Sequence, residues 1–294
     1  MCLVVLCFGA NTLFARLAVG EVSPMMVVTL RWALVLLLLI PLASRSLRND
    51  WDVIRNHIGL FLALGAVGFA LFNALYYLAA HTTSALNLGI VQGTMPALVL
   101  LGARFLYGEP IRAIQALGVA VTLVGVAVVA SAGSLDTIIR FAFRQGDILV
   151  FLACVIYAGY TLWLRRRPDV AALSQFAVMA AGAFLASLPL TALEWSTGNF
   201  QPPTATGWVI VLLIALFPSL LAQVLFIRAV QVIGPVRATM FVNLVPVIAS
   251  IFAVTFLGET FSAYHGIALG LVLGGIYLSE RTKASATPAA AADA

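Results

Sequence analysis

The chain has 294 residues, of which 63% are hydrophobic and only 9% charged. Soluble proteins carry about 25% charged residues, because a large surface has to be solvated. That shortfall excludes a soluble enzyme, a nucleic-acid binder and a receptor with a large aqueous head. The net charge of +5 comes from 15 Arg and one Lys against 11 acids. In a membrane chain such an excess reports topology rather than affinity for nucleic acid. Cys2, Cys7 and Cys154 lie inside apolar runs and read as packing residues, not as a disulfide set.

A helix needs about 20 apolar residues to cross the hydrocarbon layer. Lipid offers no partners to an open strand edge, so helices are the expected form. Ten apolar segments follow in order, at approximately 2–20, 23–43, 58–79, 84–106, 110–131, 147–165, 174–193, 207–230, 235–257 and 262–280. Runs such as Leu34–Ile40 do not alternate as barrel strands would. Residues 1–19 lack a basic leader and a cleavage site, so the first span is expected to begin almost at Met1. The longest connections are 44–57, 132–146 and 194–206, and the small-residue tail 281–294 is expected to be disordered.

Ten spans put both termini on one side. Placing them in the cytoplasm puts Arg45, Arg48, Arg55, Arg112, Arg165, Arg166, Arg167, Arg281 and Lys283 inside, against Arg140 and Arg144 outside. Nine against two sets both ends cytoplasmic in a multi-pass inner-membrane protein.

An internal repeat is the most informative pattern. A shift of 150 residues superposes Met95-Pro96 on Val245-Pro246 and Gly108-Glu109 on Gly258-Glu259. The same shift pairs Asn73 with Gln223, Tyr76 with Phe226, and Ala116, Ala120, Val124 with Gly266, Gly270, Gly274. A shift of 149 pairs Phe8-Gly9 with Tyr157-Ala158 and Arg16 with Arg165. Five spans per half is odd, so the second half enters the bilayer upside down. Inverted repeats of this kind recur in transporters that open alternately to either side.

Gly146-Asp147-Ile148-Leu149, followed by the stretch from Cys154 to Tyr157-Ala158-Gly159-Tyr160-Thr161, resembles the opening of a second EamA domain. Ser23-Pro24 with Arg31-Trp32 is similar to that family's second helix. Met95-Pro96 with Leu106-Tyr107-Gly108-Glu109, and Val245-Pro246 with Phe256-Leu257-Gly258-Glu259, resemble the element that closes the fourth helix of each repeat. The chain thus resembles ten-helix EamA-type members of the drug/metabolite transporter superfamily, most of all exporters of aromatic and other neutral amino acids. It departs from many members at Phe8-Gly9 and Tyr157-Ala158, where they carry Trp.

The resemblance implies an all-α membrane fold of two inverted five-helix repeats around a central cavity, working by alternating access. Residues 1–131 would form the first repeat, 132–146 the extracytoplasmic connection, 147–280 the second repeat and 281–294 a cytoplasmic tail. The cavity is expected among spans 1, 3, 4, 6, 8 and 9, with 5 and 10 as supports.

All eleven acids fall in loops or within a turn of a span end, which argues against a carboxylate proton relay. His57 and His81 sit in loops, and His265 lies near a span end. No H-E-x-x-H, G-x-S-x-G or metal-spaced cluster is present, so neither an enzyme nor a cofactor or metal is expected.

The spans do contain amides and rings. Asn11, Asn73, Tyr76, Tyr77, Asn87, Gln92, Tyr157, Tyr160, Trp163, Gln223, Phe226 and Asn243 are the expected substrate contacts. An uncharged chamber of this kind suits a neutral or zwitterionic small molecule, since amides bond its polar groups and rings take an apolar side chain. The same residues could instead hold helices together. Pro96 and Pro246 are expected to kink their spans and to act as hinges.

The Gly266, Gly270, Gly274 stripe and Ala116/Ala120 are expected to pack helices five and ten together, and they also offer a homodimer face. Glu109, Glu259 and Asp147 read as caps of the helices that follow them. Arg31, about eight residues into its span, costs about 2.5–3.5 kcal/mol unless it pairs or snorkels. It reads as a partner for a substrate carboxylate or as a structural residue reaching a helix end or headgroups, and the second is expected.

The resulting expectation is an exporter of small neutral or zwitterionic metabolites, with amino acids bearing apolar or aromatic side chains first. Its partners would be that substrate and lipid, without nucleic acid. Carriers of sugar conjugates or drugs are the nearest alternative, and a membrane enzyme acting on lipid is the alternative from another class. Single reporter cysteines placed at either terminus should react only in opened vesicles. Termini on opposite faces would remove the inverted arrangement.

Overall fold

A computed structural model of the chain describes residues 1–140, 143–233, 238 and 241–280. The expected tail 281–294, with Arg281 and Lys283, lies outside the described residues, as does most of the start of the ninth apolar segment. All regular structure among the described residues is helical. Among the described residues, seven helical segments are long and apolar enough to cross a membrane, and the shorter Cys2–Leu17 and Val245–Leu257 are apolar as well. Phe105 is 83% exposed, Leu37 69% and Phe256 69%. An outer surface of this kind fits lipid and not water.

Helix α1 covers Cys2–Leu17 and α2 Pro24–Asn56. Pro24 begins α2 at a position where its missing amide costs nothing. The Glu194 carboxylate accepts from Ser23 Oγ (2.6 Å) and Met25 N (3.2 Å), closing that end. The connection expected at 44–57 is instead the continuation of α2. Arg45, Arg48 and Arg55 are good helix formers, and Asp52 and Arg55 pair one turn apart at 3.6 Å.

The third apolar segment is α3 (Ile58–Gly65), a π-helical stretch (Ala66–Leu71) and α4 (Phe72–Ala80). The fourth is α5 (Ala85–Gln92) and α6 (Met95–Tyr107), separated by a turn at Gly93–Thr94. Then come α7 (Ala113–Ala130), the short α8 (Leu135–Ile139), α9 (Gln145–Trp163) and α10 (Ala172–Ser196). A further π-helical stretch, Ala215–Leu221, joins α11 (Ala205–Ile214) to α12 (Ala222–Ile233). After a turn at Asn243–Leu244, α13 (Val245–Leu257) and α14 (Ala263–Glu280) follow.

The two prolines expected to kink their spans each stand two residues past one of these turns, in the first turn of the resumed helix, where a missing amide costs little. The backbone stays right-handed through the turns, with the Gly93 and Thr94 amides donating to Ile90 and Val91 and the Leu244 amide to Phe241. The breaks at 93–94 and 243–244 stand 150 residues apart, and the π stretches begin 149 apart.

Gly108 (φ +69°) and Gly258 (φ +65°) end α6 and α13 in the left-handed conformation that glycine adopts without strain. The glutamates after them do not cap the helices that follow. Glu259 reaches back to α5, accepting from Ala85 N (2.8 Å) and Leu86 N (2.9 Å). Glu109 pairs with Arg165 at 2.5 Å. A carboxylate goes to the helix N-terminus nearest in space, and α13 packs against α5.

Helices α7 and α14 pack closely, but not through the expected stripe. A Cβ on Gly118 would lie 2.6 Å from the Gly275 carbonyl, while one at Gly270 or Gly274 would meet nothing within 4 Å. Ala116 and Ala120 are exposed. Each residue turns a helix by about 100°, so a seam one position along faces a different neighbour. Gly275→Leu should lower the melting temperature in detergent, by roughly 1–3 kcal/mol of overpacking. Gly270→Leu, whose Cβ meets nothing of the same chain within 4 Å, should lower it far less.

Candidate functional site

The broken helices and the π stretches meet at one place, and a cavity of about 410 Å³ lies there. Lipid would leave interrupted backbone unsatisfied, so such interruptions belong where side chains or water can reach them. In the first π stretch Asn73 Nδ2 donates to Phe69 O at 2.6 Å, and in the second Ser219 Oγ donates to Ile214 O at 2.6 Å. Gly68, Phe69, Pro218 and Ser219 line the cavity from these stretches, and Gln92, Gly93, Asn243 and Pro246 line it at the breaks. Six of the lining residues are aromatic. Trp32 stacks on Phe69 with centroids 4.8 Å apart and 7° between planes, Phe72 meets Tyr157 at 5.1 Å, and Phe8 meets Phe226 at 6.5 Å.

Of the expected contact residues, Asn11, Asn73, Gln92, Tyr157, Gln223, Phe226 and Asn243 line this cavity, with Pro96 and Pro246 beside them. The remaining five do not. Tyr76 is fully buried and shares a 2.9 Å hydrogen bond with Thr12. Tyr77 is buried against Arg31. Asn87 is drawn away by Asp147, whose Oδ1 accepts from Asn87 Nδ2 (3.0 Å) and from Thr83 Oγ1. Asp147 thus holds the turn before α5 rather than a backbone amide of its own helix. Tyr160 packs behind the cavity on Gly68 and Phe69, and Trp163 is 36% exposed on the outer surface.

Arg31 departs most from expectation. Its head reaches neither a helix end nor headgroups. It is 6% exposed, and its Nη1 donates to Asn73 Oδ1 (2.8 Å), Tyr77 OH (2.8 Å) and Asn11 Oδ1 (3.1 Å). Tyr77 in turn donates to Asn11 Oδ1 at 3.3 Å. Every one of these acceptors is neutral. Arg31 also lies over the Trp32 ring, 5.3 Å from its centroid, and both residues line the cavity. At another part of the lining, Glu280 accepts from Asn243 Nδ2 at 2.8 Å. The chamber expected to be uncharged therefore carries a cation and an anion.

Outside the cavity lining, Thr12 and Tyr76 bond each other, and Arg16 Nη1 donates to the Ala80 carbonyl at the end of α4. His81, next to that carbonyl, is held below the usual histidine range by burial first and by Arg16 second. From Asn11 and Arg31 the lining extends to Thr161 and Glu280. Sequence reasoning placed lining residues in spans 1, 3, 4, 6, 8 and 9; α2 and α14 contribute as well, through Trp32, Ile276 and Glu280. Pro218, inside an apolar run, was the available signal for the second π stretch. Trp32 stood out in the sequence only beside Arg31 in the second-helix pattern, with no site role attached to it.

A lipid-facing helical bundle of this kind is a membrane protein, and the cavity at its helix turns is lined by aromatic, aliphatic and polar residues. Residues 1–131 and 144–281 match the EamA-like transporter family, and the chain belongs to it. It is 26% identical over 274 residues to a Bacillus subtilis protein named "uncharacterized transporter YyaM", covering 91% of this chain and 88% of that one. It is 25% identical over 276 residues to an Escherichia coli K12 protein named "uncharacterized inner membrane transporter YedA", covering 92% and 86%. A solved crystal structure superposes with a TM-score of 0.61 over 97% of this chain and 96% of that one, at 21% identity, which shows the shared fold.

Tyr77→Phe removes an acceptor from a buried cation and should cost roughly 1.5–3 kcal/mol, read as a lower melting temperature in detergent. Tyr160→Phe, which deletes a hydroxyl without a described partner, should leave the melting temperature near wild type.

Proposed function

We propose that the protein exports small neutral or zwitterionic metabolites, in the first instance amino acids with apolar or aromatic side chains. The observation that carries this reading is the composition of the chamber. Phe8, Phe69, Phe72, Tyr157 and Phe226 offer apolar and π surface, and Asn11, Gln92, Gln223 and Asn243 offer neutral hydrogen bonds. A volume near 410 Å³ is at the small end of ligand pockets.

On this reading ten spans form two inverted five-helix halves. The paired breaks and paired π stretches support it, because each sits at one offset and each faces the cavity. The halves would rock about the site between them. With both termini cytoplasmic in an inner membrane, the lining that runs to Thr161 and Glu280 corresponds to an inward-facing state. Thr12–Tyr76 and Arg16–Ala80 would form its outer seal. The Gly266, Gly270, Gly274 stripe, turned away from α7, would be the face used by a homodimer. Flux would follow the substrate gradient without a carboxylate proton relay.

Proteoliposomes tested with amino acids, nucleotide sugars and cationic drugs, with and without a pH gradient, decide between substrate classes. Uptake of aromatic and branched amino acids in the absence of a pH gradient is the expected result. Selective uptake of a nucleotide sugar or drug would overturn the amino-acid reading, and strict dependence on the gradient would overturn the uncoupled one. Asn73→Ala and Gln223→Ala should each reduce flux by about tenfold, the equivalent of ~1.4 kcal/mol. Two folded variants with normal flux would remove the site assignment.

A further inference from the structure

We infer that Arg31 and Trp32 form an anion subsite in the chamber, and that a ligand docks there through a carboxylate. This deepens the carrier reading and rests on it.

The inference comes from a mismatch of hydrogen-bond partners at one corner of the cavity. Arg31 Nε and Trp32 Nε1 are both buried without an acceptor. Arg31 Nη2 donates to no described acceptor either, so the three bonds of Arg31 all fall on Nη1. A guanidinium carries five N–H donors, of which one nitrogen supplies only two. The adjacent residues are 6% and 2% exposed, and both line the cavity. What this corner lacks is therefore acceptors.

Charge gives the same sign. Among the described residues no carboxylate lies within ion-pair distance of Arg31. Its three partners are two amide oxygens and a phenol, which orient the head without neutralising it. A cation in a membrane span that lacks a counter-ion is costly. A bound carboxylate supplies both the missing charge and two acceptor oxygens in a geometry matched to guanidinium. Glu280 does not fill that role, because its carboxylate takes Asn243 and stands at the end of α14. The stack of Trp32 on Phe69 beside the guanidinium then provides a flat apolar surface for the rest of the ligand.

The full chain in detergent tests this through paired probes that differ only in charge: benzoate against benzamide, and phenylalanine against phenylalaninamide. Binding is read by calorimetry and by quenching of tryptophan fluorescence. Wild type should bind each carboxylate roughly 10- to 100-fold more tightly than its amide, the range for a charge-assisted bond. Arg31→Gln should abolish the preference, and Arg31→Lys should restore part of it. Asn73→Asp places a carboxylate beside the guanidinium and should also suppress binding of benzoate, so the outcome does not depend on Arg31→Gln folding.

Equal affinities within each pair, no binding of either carboxylate, or a preference retained in both Arg31→Gln and Asn73→Asp would overturn the inference. Benzoate held by Arg31 in a protein that moves no amino acid would sink the amino-acid reading and support the anion subsite. Amino-acid flux with phenylalaninamide bound as well as phenylalanine would do the reverse.

Discussion

A bilayer supplies no hydrogen-bond partners, so any interruption of a helix inside it has to be answered from within the protein. That constraint places the chamber. The breaks at 93–94 and 243–244 and the π stretches at 66–71 and 215–221 are the interruptions that border the cavity. Each is answered locally. Asn73 takes the Phe69 carbonyl, Ser219 takes the Ile214 carbonyl, and Pro96 and Pro246 start new helices at positions that need no amide. Even the start of α5 is answered by a carboxylate from the turn after α13. Small irregularities that would be ruinous against lipid thus become the lining of a polar space, and π turns of this sort are often found at functional positions.

Placing Arg31 in this space has consequences for the helices around it. One nitrogen ties α2 to α1 through Asn11 and to α4 through Asn73 and Tyr77. The amide of Asn73 serves twice, with its oxygen on Arg31 and its nitrogen on the π stretch. Substituting Asn73 therefore disturbs two groups at once, a buried cation and a freed carbonyl. Its effect on flux has to be compared with that of Gln223, for which no such second duty is described.

Much of the helical layout was legible in the sequence, because lipid imposes a length and an apolar composition on each crossing. Seven segments long and apolar enough to cross fall where the hydropathy pattern places them. Residues whose chemistry is local, such as Gly108 and Gly258 in their left-handed caps, were readable too. Side-chain direction was not. Tyr76 and Tyr77 share a helical face with Asn73, yet both are claimed by neighbours, Thr12 on α1 and Arg31 on α2. Asn87 was lost to Asp147 on α9 for the same reason. A helical wheel ranks faces but does not say which neighbour occupies them. The glycines of α14 show this at its sharpest, since the register that touches α7 is one residue from the stripe that stands out in the sequence.

The contacts of Arg31 and the Thr12–Tyr76 tie are built on the same two helices. Asn11 and Thr12 are consecutive on α1, and Tyr76 and Tyr77 are consecutive on α4. Asn11 and Tyr77 bond each other and Arg31, whereas Thr12 and Tyr76 bond each other. Parting α1 from α4 at this level has to break both pairs. Arg31 reinforces one of them from α2 without being needed for it, because Tyr77 donates to Asn11 directly. A ligand that drew Arg31 away would therefore loosen the contact between α1 and α4 rather than sever it.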